Sequence, residues 1–251
     1  MHNLPVELER EPLIDALFEV RVNLWSESPT SWADIIPGFL VHDLGDGASM
    51  IRLPAADLPF PVRQQDPNLQ YAPLQRIDWR DYFISIGDRN VVVSCKLPYP
   101  KWPKFKAAIL DILTRIAKLD PQGSVERYSL KYVNLIQETD FASQIEKVRM
   151  SVSLGDLQVR DQHISLQVHE KTDHAIHIYN IITGAQLRMN DGRMLEGIIV
   201  DIDSIHNLSA PSLKSLVPNI EKDLETLRQE NKSKFFSCLT EQTVNEMGPV
   251  T

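Results

Sequence analysis

Residues 81–137 constrain the fold most. DYFISIGDRNVVVSCKL supplies two apolar runs around Gly87-Asp88-Arg89-Asn90, residue types that close hairpins. KWPKFKAAILDILTRIAKL follows, with Phe105, Ile109, Ile112, Leu113 and Ile116 at helical spacing, Pro103 near its start and Asp120-Pro121-Gln122-Gly123 as a stop. VERYSLKYVNLI, Val125 to Ile136, then reads as a strand. Hairpin, helix and strand in that order bury their apolar faces by laying the helix on the sheet, an α+β arrangement.

Other segments fit that plan. Phe18, Val20, Val22 and Leu24 alternate with Glu19, Arg21 and Asn23, the period of a half-buried strand. Pro54, Pro59, Pro61, Pro67 and Pro73 predict a long irregular connection over residues 53–75. Later, Met150 to Leu154, His163 to His169 and Ala175 to Ile182 have strand character, and Asn190-Asp191-Gly192 reads as a turn into MLEGIIVDIDSI. Ser209 is expected to start a helix with Leu213, Leu216, Ile220, Leu224 and Leu227 on one face, interrupted by Pro218. The polar tail after Thr240 is expected to fray. The expected fold is α+β, with antiparallel sheets packed by helices in two similar strand-strand-helix halves, residues 1–140 and 141–251, the second carrying the long terminal helix, or else one continuous domain.

The 251 residues carry a formal charge of −8, which opposes attraction to a phosphate backbone, so nucleic acid is disfavoured as the main partner. MHNLPVELEREPL has no basic segment followed by an apolar run, and no apolar stretch approaches the roughly 20 residues that cross a bilayer. The expectation is a cytoplasmic chain without a membrane partner. Cys95 and Cys238, both in apolar surroundings, make neither a disulfide framework nor a zinc site and read as buried thiols.

EPLIDALFEVRV, YPKWPKF, RYSLKYVNLI, DIDS and KFFSCLT, in that order, resemble a sporadically distributed bacterial family of about this length that has no assigned activity. The resemblance spans nearly the whole chain, and its most specific element is met by Arg127, Leu130, Lys131, Tyr132 and Asn134. The family commonly has arginine at the position of Lys131 and glycine at that of Ser129, departures that argue against an essential planar, bidentate guanidinium there. It implies this architecture and cytoplasmic residence. By analogy with other sporadic families, it also implies a place in a mobile defence or toxin-antitoxin cassette, with a protein partner encoded nearby.

Alternation puts Tyr128, Leu130, Tyr132, Asn134 and Ile136 on one strand face and Val125, Arg127, Ser129, Lys131 and Val133 on the other. The first face is the expected core, with Asn134 as a polar anchor to a neighbouring loop or backbone. Arg127 and Lys131, with Arg89 and Lys96 of the preceding hairpin, form a candidate anion- or partner-binding surface, or simply a charged outer face. Asp201 and Asp203 share a strand face with His206 just beyond, a weak candidate for a divalent metal, although Asp and Ser at a strand end also serve as turn and cap residues. His163, His169, His174 and His177 read as a metal cluster, as a source of a general base, or as exposed histidines on a solvated hairpin. Matching apolar faces through an odd-length loop would place Val168 opposite Ile176 and His169 near His177 on a polar face.

The sequence holds no GxSxG elbow, GxxxxGK[ST] loop, GxGxxG after a strand or HExxH. The preferred expectation is a non-enzymatic binding or accessory protein. The alternative is a small-molecule or nucleotide-processing enzyme using Asp201 and Asp203, with or without metal, and Arg127 and Lys131 for an anionic substrate. The residues assign no cofactor. Self-association through the amphipathic terminal helix, where Phe235 and Phe236 follow a charged run, is a third expectation.

Overall fold

A computed structural model describes residues 4–24, 31–189 and 192–250. The turn expected at Asn190-Asp191 lies outside them. In chain order the strands and helices are β1 (Glu7–Leu8), β2 (Leu13–Asn23), α1 (Trp32–Leu44), β3 (Ala48–Arg52), a 3-10 turn (Pro54–Asp57), α2 (Phe60–Gln65), β4 (Gln75–Trp79), β5 (Tyr82–Ile86), β6 (Asn90–Cys95) and α3 (Trp102–Leu119). There follow β7 (Ser124–Gln137), α4 (Phe141–Glu146), β8 (Ser153–Leu154), β9 (Leu157–Gln158), β10 (Ser165–Lys171), β11 (Ile176–Arg188), β12 (Met194–Asn207), α5 (Leu213–Leu216), α6 (Ile220–Cys238), α7 (Glu241–Glu246) and β13 (Pro249–Val250). The class is α+β. A nine-stranded antiparallel sheet runs in the order β10-β11-β12-β7-β2-β6-β5-β4-β3.

Two compact units divide the chain, and they interleave in sequence rather than meeting at residue 140. One comprises Met1–Ile14, Lys131–Ser204 and Arg228–Thr251; the other comprises Asp15–Leu130 and Ile205–Leu227. Strands long enough to serve two cores explain the interleaving, because β2, β7 and β12 each contribute residues to both units.

In the unit containing residues 15–130, Phe18, Val20, Ile84, Val93, Phe105, Ile109, Ile112 and Tyr128 are fully buried or nearly so. The Phe105 ring stacks on Tyr82 at 6.2 Å, which seats α3 on the sheet. Pro103 opens that helix and Asp120, in the left-handed region at φ 49, ends it, as the sequence predicts. The proline-rich connection is more ordered than expected. Its Arg63, on α2, is buried and makes a two-pronged pair with Asp88, Nε–Oδ2 2.7 Å and Nη2–Oδ1 3.0 Å.

In the unit containing residues 131–204, Ile136, Val148, Ile181, Ile198, Val200, Ile202, Phe235, Leu239 and Met247 form one core. Its C-terminal segment is not frayed. Thr240 caps α7 by accepting from Thr243 N–H, and β13 pairs with β1, Glu7 opposite Val250. Met247, only 5% exposed, holds the segment against the core. The strand expected at Met150 to Leu154 shrinks to β8. The helix expected from Ser209 begins at Leu213, capped by Ser212, and the break before Ile220 contains Pro218. No helix among the described residues is long and apolar enough to cross a membrane.

Candidate functional site

Strand β7 buries the expected face, and part of the other as well, with Val125, Ser129 and Leu135 at most 3% exposed. Tyr128, Leu130, Tyr132, Asn134 and Ile136 are all at most 6% exposed. Asn134 donates from Nδ2 to the Val200 carbonyl at 3.3 Å, so this buried amide ties two strands together. On the opposite face Arg127 reaches Glu19, Nη2–Oε2 3.5 Å. Glu19 also accepts from Arg21 Nε and from Asn90 Nδ2, each at 2.8 Å, which makes it a hub for polar groups around β2. Arg89 is half-buried and accepts a backbone hydrogen bond from Val22 at 2.8 Å. Asp88 beside it is committed to Arg63.

Further along β7, Lys131 Nζ sits 2.9 Å from Asp201 Oδ2, and Asn180 Nδ2 donates to the same oxygen at 3.1 Å. Asp201 is 7% exposed, and its Oδ1 has no hydrogen-bond partner among the described residues. Asp203 is half-buried two residues on, on the same strand face. His206 belongs to the other face, where its ring stacks on Tyr128 at 5.2 Å. Asp201, Asp203 and His206 therefore do not converge, and no group of three His, Cys, Asp or Glu among the described residues is placed to hold a metal ion.

The histidines distribute differently from the expected pairing. β10 and β11 are joined through a two-residue loop, Asp173-His174, closed by Thr172 N–H to Ala175 O at 2.8 Å. The Thr172 hydroxyl accepts from Ala175 N–H at 3.0 Å. That local geometry sets the register at Val168 opposite Tyr179, His169 opposite Ile178 and Glu170 opposite His177. His169 stays exposed while His177 is fully buried. The two rings accordingly lie on opposite faces.

His177 belongs to a network that sequence reading missed. Its Nδ1 lies 2.9 Å from Ser204 Oγ, which accepts from Asn231 Nδ2 at 2.9 Å, and its Nε2 lies 3.6 Å from Glu230 Oε2. Asn231 donates through the same amide to the Ile202 carbonyl at 2.9 Å. The order serine, histidine, carboxylate is that of a nucleophilic triad. Here Ser204 and His177 are both fully buried, so no substrate reaches the hydroxyl, and the arrangement acts as an interior polar clamp between β11, β12 and α6. The alternation of His177 with Tyr179 and Ile181, and of Ser204 with Ile202 and Val200, was the available signal.

The same face of β10 and β11 opens into an apolar groove of about 380 Å³, bounded by Val148, Met150, Leu166, Val168, Tyr179 and Ile181. Val168 at its lip is 46% exposed. Glu170, at the groove, accepts from Lys234 Nζ at 2.7 Å and from the Tyr179 hydroxyl, and these two bonds hold its carboxyl below the usual range. Burial pushes the Cys238 thiol beside the groove up to about 11, which leaves it a protonated, weakly nucleophilic lining group at neutral pH. Arg149 borders the groove and is exposed.

No protein-family model matches the chain, and no curated protein matches it.

Proposed function

We propose that this chain is a non-enzymatic binding protein that docks a protein partner as an accessory component of a bacterial cytoplasmic assembly. The observation that carries the reading is the apolar groove beneath β10, with Val168 left 46% exposed at its lip. A concave apolar surface with a few polar groups at its border is how proteins hold apolar side chains of a ligand. The charged side chains that would serve an anionic substrate are instead occupied close at hand, Lys131 by Asp201 and Arg127 by Glu19. That arrangement favours binding over turnover.

The test is purification of the tagged full chain from its own cells, with wild type beside Val168→Asp and Lys131→Met/Asp201→Asn. The expected result is a stoichiometric protein partner retained by wild type and the double variant and lost from Val168→Asp. Retention by Val168→Asp, or a turnover that Asp201→Ala/Asp203→Ala abolishes, overturns the reading.

A further inference from the structure

On the reading that this groove binds a protein partner, the backbone of β10 adds a second binding element beside it. In an antiparallel pair, opposed residues alternate between those that exchange hydrogen bonds and those whose N–H and C=O point away. Thr183 N–H donates to Ile164 O at 3.1 Å and Thr172 N–H to Ala175 O at 2.8 Å, so the bonded positions along β10 are the even-numbered ones at both ends of the ladder. Ser165, Gln167, His169 and Lys171 then direct their backbone groups out of the sheet edge. β10 is the last strand on its side of the nine-stranded order, and among the described residues no partner meets the N–H of Gln167 or His169.

Edge strands are commonly blunted by charged side chains, lysine above all, by proline, by bulges or by covering loops, and here the one lysine, Lys171, stands at the end of the strand. SLQVHEK has no proline, and its pairing with β11 runs without a break from Ser165 to Lys171. The side chains of Gln167 and His169 do not cover the edge, because they bond on the sheet face away from the groove, Gln167 to Asn180 at 2.8 Å and His169 to Gln167 at 3.0 Å. Leu166, Val168 and Glu170 point to the other face, into the groove. Edge and groove are thus continuous. A strand laid along β10 would set alternate side chains into the groove while its main chain bonds the outward groups.

Charge selects among occupants. Glu170 is already neutralised by Lys234. Arg149 at the groove and Lys171 at the end of the edge are both exposed, and neither makes an ion pair among the described residues. Asp173, at the hairpin tip beyond Lys171, is exposed as well, so the unpaired charge at the groove itself is that of Arg149.

We propose that β10 accepts an extended segment of a partner protein as an added strand, with apolar side chains entering the groove and a carboxylate meeting Arg149. The probe is a library of random peptides displayed on phage and selected against the full chain, followed by amide hydrogen exchange with the enriched peptide bound. The expected peptides alternate apolar residues at a spacing of two and carry Asp or Glu, and they protect the Gln167 and His169 amides. Arg149→Glu is expected to weaken them by about tenfold or more. Gln167→Pro should do the same by removing one outward N–H. Because that N–H serves no internal ladder bond, the proline is of the kind edge strands tolerate and the variant folds. Failure to enrich any peptide, enrichment of helical spacing, or unprotected Gln167 and His169 amides overturns strand addition. If that happens while Val168→Asp still loses the natural partner, the groove reading survives alone; if Val168→Asp keeps it, both fall. A concentration-dependent dimer that protects the same amides without peptide assigns the edge to a second copy and overturns the proposal.

Discussion

Lys131 and Asp201 meet at 2.9 Å across β7 and β12, so a residue suggestive of an anion surface and one suggestive of a metal centre neutralise each other. Asp201 gains most from the contact. Its side chain is 10% exposed against 32% for Lys131, and among the described residues only Asn180 otherwise supports the carboxylate that Lys131 holds. The pair reads as a structural clasp on the outer sheet face.

Breaking that clasp from one side should cost more than removing it whole. Lys131→Met leaves a buried carboxylate with one amide donor, and is expected to lower stability by about 1–3 kcal/mol, below the range for a fully buried pair because Lys131 is partly solvated. Lys131→Met/Asp201→Asn should recover most of the loss. Urea unfolding of the four members of the cycle measures it, and additive single effects would deny the coupling.

The Arg63–Asp88 pair is the deeper ionic contact, with side chains 9% and 4% exposed and two hydrogen bonds between them. Hydrogen bonding to Asp88 holds the guanidinium pKa above its usual value. Arg63→Ala should destabilise by about 3–5 kcal/mol, since it strands Asp88 in a buried position. The same substitution should release the connection around residues 53–75, seen as faster proteolysis there. A stability change under about 1 kcal/mol would mean the pair contributes little beyond a well-packed apolar replacement.

What the sequence disclosed follows from how local each signal is. The hairpin over residues 82–95, α3 and the facing of β7 rest on periodicity and punctuation within a few residues, and all three stand. Helix α1 is hidden by Pro37-Gly38, a turn signal, yet burial of Trp32, Ile36 and Leu40 at successive turns supports it through the proline. The histidine pairing failed because the Thr172 hydroxyl fixes a two-residue loop, shifting every opposed pair. Lys131 with Asp201, and His177 with Ser204 and Glu230, join residues far apart in the chain. No spacing rule reaches them. Asn134 was legible because an amide on an apolar strand face must find a partner, whatever that partner is.

Gly197 of β12 lies directly against the backbone of β7. A Cβ there would lie 2.0 Å from the Ile136 carbonyl oxygen and 3.0 Å from the Gln137 Cα, both rigid backbone. Gly197→Ala is therefore expected to force the strands apart and destabilise by about 2–4 kcal/mol, whereas Gly155→Ala, with open space around it, should be limited to its backbone cost at φ +58. Thermal melts of the two variants separate steric from conformational effects. Equal shifts would place the close approach in doubt.

The His177 network gives stability a pH dependence whose sign is fixed by its surroundings. Burial, and then the Lys234 charge, hold the imidazole below its usual 6.5, while Glu230 and Glu170 act the other way. Ser204, which receives the Asn231 amide, can donate its own proton to Nδ1, so the neutral ring with its proton on Nε2 suits the site and turns that N–H toward Glu230. Below about pH 6.5 the unfolded chain binds a proton that the folded chain refuses, so stability from this group is complete above 6.5 and falls as pH drops toward the depressed folded value. The depressed carboxyls Glu170, Glu246 and Asp140 start from 4.5, 4.5 and 3.8, and their contributions are lost at lower pH. Between pH 5 and 6.5 the wild-type slope should exceed that of His177→Gln by up to about 1.4 kcal/mol per pH unit, the value for one proton. Urea midpoints across that window measure it, and parallel lines for the two proteins would show that His177 titrates alike folded and unfolded.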